Sequence, residues 1–141
     1  MAEAFGIVAS TIHIIESLNQ VINFCESIRE APVDIQRILT ELQILSKIVK
    51  AIQLVYEKRS LPERSEATTR QCLSLIKHDI SKLSVLTSDL ERRLSSDKRI
   101  TRSWARVQTV LSEKKISMLS GHLDRAKGTL QLLQCCHILS V

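Results

Sequence analysis

The stretch AEAFGIVASTIHIIESLNQVINFCESI, residues 2–28, decides the fold. Ile7, Ile14, Val21 and Ile28 recur at a spacing of seven, and Val8, Ile15 and Ile22 with Leu18 and Cys25 widen them into one apolar face. That periodicity predicts an α-helix over residues 2–29 with one side in a bundle core. No charged residue falls between Glu3 and Glu16, and Glu16 is then alone until Glu26. About twenty-two residues of such a helix span about 33 Å, close to the ~30 Å hydrocarbon core of a bilayer. Ser10, Thr11, His13, Ser17, Asn19, Gln20 and Asn23 interrupt the stretch and make it too polar for a settled membrane span.

Ala31-Pro32 ends this helix, because proline disfavours helical backbone in the residue before it and suits a first helical turn. A second helix is expected over 32–58, with Ile35, Ile38, Leu39, Leu42, Leu45, Val49, Ile52 and Tyr56 inward and Asp34 against the N-terminal dipole. Ser60-Leu61-Pro62-Glu63 reads as a turn and capping box. The third helix, 62–95, turns Cys72, Leu73, Ile76, Ile80, Leu83, Leu86, Leu90 and Leu94 inward. The last, 112–139, starts on Ser112 as cap and carries Ile116, Leu119, Leu123, Ala126, Leu130 and Leu133 on its seam. Ile100, Trp104, Val107 and Val110 suggest a short amphipathic turn or helix just before it. The fold class expected is all-α: an antiparallel four-helix bundle, a single domain over 1–141, with that short extra element before the last helix.

Composition agrees. A chain of 141 residues buries roughly two-thirds of its unfolded surface. Aromatic residues make up only 3% of the chain, so the core is aliphatic, and three glycines with two prolines leave little for hairpins or phosphate-cradling loops. The net charge of +5 would suit acidic membranes, nucleic acids or acidic protein patches. One Trp, one Tyr and two Phe are few for stacking on bases, and no short recognition helix with clustered Arg and Asn stands out, so no nucleic-acid partner is expected. Cys25, Cys72, Cys135 and Cys136 lack metal-ligand spacing and are read as buried free thiols in a reducing cytosol. For palmitoylation of Cys135 or Cys136 the sequence offers only their presence.

Catalytic patterns are missing from the sequence: GxxxxGK[ST], HExxH, CxxC and GxSxG do not occur. His13 and Glu16 share a helical face, but a di-metal bundle needs that pair twice, with further inward carboxylates. His78-Asp79 and His122-x-Asp124 read as solvated surface, and His137 as a seam or frayed-end histidine. No catalytic, cofactor-binding or metal-ligating residue is assigned, no cofactor is expected, and the chain is read as a non-enzyme.

Two features exceed what a bundle needs. Counted by sevens, Phe5 and Ile12 lie on one line with Asn19 and Glu26, so residues 4–15 are apolar over a wider arc than one core explains. Ala2, Gly6 and Ser10 form a small-xxx-small row, the kind that lets helices approach closely in lipid; crowding inside the bundle is the alternative reason for Gly6. Ser10, His13, Ser17 and Gln20 continue nearly the same stripe. The second feature is the segment 92–115, where eight basic residues face two acids, Asp97 and Glu113. It reads either as a solvated loop or as an anionic-lipid footprint, in which each Lys or Arg contributes about 1 kcal/mol.

MAEAFGIVAS (1–10), APVDIQRIL (31–39) with Glu41-Leu42, and Trp104 followed by EKKI (113–116), Leu119, Leu123 and AKGTL (126–130) resemble the HeLo-like N-terminal domain of fungal STAND (NOD-like receptor) proteins. The resemblance implies a four-helix bundle at the head of a receptor, ahead of a nucleotide-binding oligomerisation module and repeats. In better-studied relatives the bundle is a membrane-targeting cell-death effector, comparable to the executioner bundle of the mixed-lineage kinase-like necroptosis protein. Its first helix carries a glycine-zipper-like row, released into the membrane on oligomerisation. The matching positions are Ala2, Gly6 and Ser10, and this chain has one glycine where the clearest relatives have several.

The leading expectation is a non-enzymatic effector whose first helices gather on oligomerisation and insert into an anionic membrane. Ala2, Phe5, Gly6, Ser10 and Ile12 would serve insertion and helix packing, and Lys98, Arg99, Arg102 and Arg106 would contact anionic lipid. Its expected partners are anionic membrane lipids, other copies of itself, and a nucleotide-binding oligomerisation module in cis or a receptor in trans. Its expected location is cytoplasmic, with conditional association to the plasma membrane. The alternative is a signalling adaptor that self-associates or docks a protein partner without entering a membrane. Because 4–15 spans only about 18 Å as a helix, insertion must recruit the polar half too, which makes oligomerisation a physical requirement of the membrane reading.

Overall fold

In the computed structural model, the aliphatic stripes are carried by four long helices: α1 (Ala2–Glu26), α2 (Val33–Lys58), α3 (Glu63–Arg93) and α5 (Glu113–Ser140). Three small elements complete the fold: β1 (Ile28–Arg29), β2 (Arg102–Ser103) and α4 (Trp104–Val107). The structure describes residues 2–58, 63–94 and 102–140, and within them the side chains of 6–57, 67–94, 103–105 and 107–135. Residues 60–62 of the proposed capping box and the side chains of Glu63 and His137 lie outside the described residues.

The bundle is all-α in its core, as the periodicity requires. α1 packs closely against both α2 and α3, α3 packs in turn against α5, and α2 meets α5 more loosely. α1 therefore sits in the middle of the packing, with Ile7, Ile14 and Leu18 fully buried. The inward residues expected on α2, α3 and α5 all join the core, with Leu39, Leu86 and Ile116 packed on its margin. Polar groups bridge the helices where the apolar stripes run out. Tyr56 Oη and Thr69 Oγ1 lie 2.7 Å apart between α2 and α3, and Lys127 Nζ donates to Glu41 Oε2 at 3.0 Å between α5 and α2.

The helix boundaries follow local chemistry. Ser27 closes α1: its N–H donates to Asn23 O at 3.1 Å, and its hydroxyl donates to Phe24 O at 2.6 Å, taking up carbonyls that the helix end leaves unpaired. The expected continuation to residue 29 is corrected here. Ile28 and Arg29 instead pair in parallel with Arg102 and Ser103, which ties the α1–α2 connection to the segment ahead of α4. Glu30 then takes a left-handed φ of 58° that turns the chain into Ala31-Pro32. Pro32 O accepts from Ile35 N and Gln36 N to open α2. At the start of α5, Ser112 Oγ accepts from Lys115 N at 3.3 Å, the capping role its position suggests.

Candidate functional site

α1 keeps one apolar stripe out of the core. Helical spacing sets Phe5, Ala9, Ile12 and Glu16 on one line, and Ala9, Ile12 and Glu16 are exposed, Ile12 by 43%. The turn toward α2 adds half-buried Ile15, and α2 answers with Leu54, 51% exposed. Together they floor a groove of about 430 Å³ between α1 and α2, edged by Glu16, Lys50, Gln53 and Glu57. The excess hydrophobicity of residues 4–15 is thus real surface at Ile12. Ile7 and Ile14 on the opposite face account for the core.

Gly6 is exposed, and a Cβ built on it meets nothing within 4 Å, so crowding in the bundle is not the reason for glycine there. Ser10 is half-buried. The side chains of Ala2 and Phe5 lie outside the described residues. The polar stripe that continues from Ser10 reaches α3 at Gln20. Gln20 is held by α3: Ser84 Oγ donates to Gln20 Oε1 at 2.6 Å, and Gln20 Nε2 donates to Ser88 Oγ. Among the described residues no helix is long and apolar enough to cross a membrane.

Of the basic segment, Lys98 and Arg99 lie outside the described residues, as do the side chains of Arg102 and Arg106. Its upstream end is already engaged. Asp89 holds Arg92 through Oδ1 at 2.9 Å and Arg93 through Oδ2 at 3.3 Å. Trp104 packs partly buried against the core. Lys115 donates from Nζ to Val110 O at 3.1 Å.

One polar cluster departs from the expectation of solvated surface. Asp79 is only 8% exposed and sits between α3 and α5. Its Oδ1 lies 3.4 Å from His122 Nδ1 and 3.6 Å from Arg125 Nε, while Arg125 Nη2 lies 3.3 Å from the same His122 nitrogen. That nitrogen donates to Asp79 when it carries a proton and accepts from Arg125 when it does not. The cluster ties α5 to α3. Sequence reasoning missed it because the partners are 43 positions apart. The one available signal was an acid, Asp79, directly beside the core residue Ile80.

Among the described residues no group of three or more His, Cys, Asp or Glu is placed to hold a metal ion, and His13 and Glu16 are both exposed. Cys25 and Cys72 are buried and not disulfide-bonded, as expected, and burial pushes the Cys25 thiol up to about 12, with Glu26 adding to the rise. Cys135, expected to be buried, is exposed, because it falls off the Leu130–Leu133 seam of α5.

A family model described as "SesA: N-terminal domain on NACHT_NTPase and P-loop NTPases" matches residues 8–130, from the second turn of α1 to about two-thirds of the way along α5. Neither the curated proteins nor the solved structures offer a match. The match supports the coarser part of the sequence resemblance, an N-terminal domain tied to NACHT-type NTPases, and gives it as SesA, whereas the residues themselves pointed to HeLo-like. With a match over most of its length, on a four-helix bundle most of whose core residues fall inside the matched range, the chain belongs to the SesA family of N-terminal domains found on NACHT and P-loop NTPases.

Proposed function

We propose that this bundle is a non-enzymatic effector module that self-associates when a NACHT- or P-loop-type NTPase, in cis or in trans, gathers it. The family link supports the pairing with such an NTPase. The observation that carries the mode of action is the place of α1. It packs between α2 and α3, with Ile7, Ile14 and Leu18 buried and Gln20 held by Ser84 and Ser88. Extracting it would uncover the apolar faces of α2 and α3 that pack on it, so assembly works through the folded surface, and the exposed α1–α2 groove is the apolar part of that surface on α1. The test is forced clustering of the chain on a multivalent scaffold, read by circular dichroism and by hydrogen exchange of α1. Retained protection of Ile14, Leu18 and Val21 amides on clustering supports this reading; loss of that protection defeats it.

A second reading is favoured by Gly6 and Ile12. The glycine is not needed by the folded bundle, and Ile12 is apolar where no core requires it. In this reading clustered first helices leave their bundles and enter an anionic membrane, ending in cell death of the kind fungal incompatibility receptors trigger, with Lys98, Arg99, Arg102 and Arg106 attracting the lipid. Dye release from vesicles with and without anionic lipid separates the two. Leakage that requires anionic lipid and is lost in Phe5→Lys and Ile12→Lys, at unchanged helical content, favours insertion. No leakage from clustered wild-type chain sinks it.

A further inference from the structure

The molecule carries a second surface groove, between α3 and α5, of about 590 Å³. Its apolar floor is Val85, 69% exposed, Met118, 45% exposed, and half-buried Leu86. Since α1 packs between α2 and α3, and α3 between α1 and α5, the α1–α2 groove and the α3–α5 groove open on opposite sides of the bundle.

Their charges are reciprocal. The α1–α2 groove carries Glu16 and Glu57 against a single Lys50. Neither glutamate makes a salt bridge among the described residues. The α3–α5 groove carries Lys82 and Arg92 against a single acid, Asp89, which Arg93 also engages. Each groove thus has an apolar centre and a charged rim, acidic in excess on one and basic in excess on the other.

We infer that the two grooves are complementary halves of one interface, and that the occupant of each is the opposite groove of a second copy of this chain. This inference rests on the self-association reading and specifies its geometry. Pairing a groove with itself would bring Glu16 and Glu57 against the same acids, or Lys82 and Arg92 against the same bases, so charge disfavours the two-fold dimer. Joining unlike grooves pairs Ile12 and Leu54 with Val85 and Met118 inside a rim of opposite signs. Because the grooves lie on opposite sides, each added copy presents a fresh groove. The contact is heterologous and propagates into a ring or a filament rather than closing at two. Its apolar centre is small, so the contact is weak between free chains and becomes effective at the high local concentration that tethering to an oligomerising NTPase supplies.

The test uses the whole chain in sedimentation velocity over a concentration series reaching the millimolar range. Wild type is expected to pass through dimers to larger species without stopping at two. Ile12→Asp and Met118→Asp, both at exposed positions, should each remain monomeric. Mixed, they should form a one-to-one dimer and nothing larger, since each keeps one intact groove. The charge-reversed pair Glu16→Lys/Glu57→Lys should also be monomeric, as should Lys82→Glu/Arg92→Glu, and their mixture should recover full assembly. Circular dichroism verifies that every variant stays folded, and the charge-reversed pair of variants serves if an aspartate variant unfolds. A wild type that halts at the dimer overturns the inference. So does assembly unaffected by all four variants, which leaves self-association standing but moves it to another surface. A wild type that is monomeric throughout the series overturns both this inference and the self-association of the bare domain.

Discussion

Lys127 Nζ lies 3.0 Å from Glu41 Oε2, and this contact joins α5 to α2, the two neighbouring helices of the bundle that pack least closely. Glu41 is shared, since Arg37 Nε also lies 3.4 Å from its Oε1. Both partners of the bridge keep solvent contact, with side chains 38% and 23% exposed, so water screens the attraction. A double-mutant cycle with Lys127→Met and Glu41→Gln should give a coupling of about 0.2–1 kcal/mol in urea denaturation, diminishing with added salt. A coupling several times larger would mean that α2 and α5 rely on this ion pair for their docking.

Leu18 is fully buried where α1 packs against its neighbours. Leu18→Ala should cost about 2–5 kcal/mol in denaturation by urea, from lost burial plus the cavity left behind. Ile12→Ala, on the exposed stripe of the same helix, should change stability by no more than about 0.5 kcal/mol. The contrast between the two measures how far α1's core face and its groove face differ.

Asp79→Ala removes the oxygen that both His122 and Arg125 approach. The expected loss is about 1–3 kcal/mol, because the half-buried imidazole and the guanidinium lose a charged acceptor inside the α3–α5 seam. Asp124→Ala, which touches Lys127 on the exposed side of α5, should be nearly neutral. Thermal melts of the two variants under one buffer check the difference.

The Cys25 thiol is held protonated in the folded chain, its pKa raised from 9.0 to about 12 by burial first and by Glu26 second. Between those values the unfolded chain releases a proton that the folded chain keeps, so the contribution to stability is complete below pH 9 and is lost as pH rises toward 12. Denaturation midpoints should therefore fall across that window, and Cys25→Ala should flatten the fall. At pH 8, mass-mapped labelling by a thiol reagent should reach exposed Cys135 quickly and buried Cys25 and Cys72 only as fast as the protein opens.

Gly6→Ala adds a methyl into open space on α1 and should raise stability by about 0.5–1 kcal/mol, less if the helix frays at its first turns. A melting temperature lowered by Gly6→Ala would show that the glycine is needed in the folded chain after all.

The sequence by itself determined the helices and their inward faces. A 3.6-residue period is a local property, and Ile7, Ile14, Leu42, Leu73, Ile80, Leu123 and Leu133 had to be inside whichever way the helices were arranged. The coarse family link, an N-terminal domain tied to NACHT-type NTPases, was legible in the sequence too, although the residues pointed to HeLo-like where the family model gives SesA. Only the tertiary structure decided the rest. That α1 lies between α2 and α3, that Ile28–Arg29 leave the helix to pair with Arg102–Ser103, and that Asp79 meets His122 are facts about partners distant in the chain, and no local period encodes which stripe faces which neighbour. The same holds for the surface. The heptad count showed that Ile12 was apolar beyond need, but its place in a groove with Leu54, opposite a second groove of contrary charge, exists only once four helices are packed.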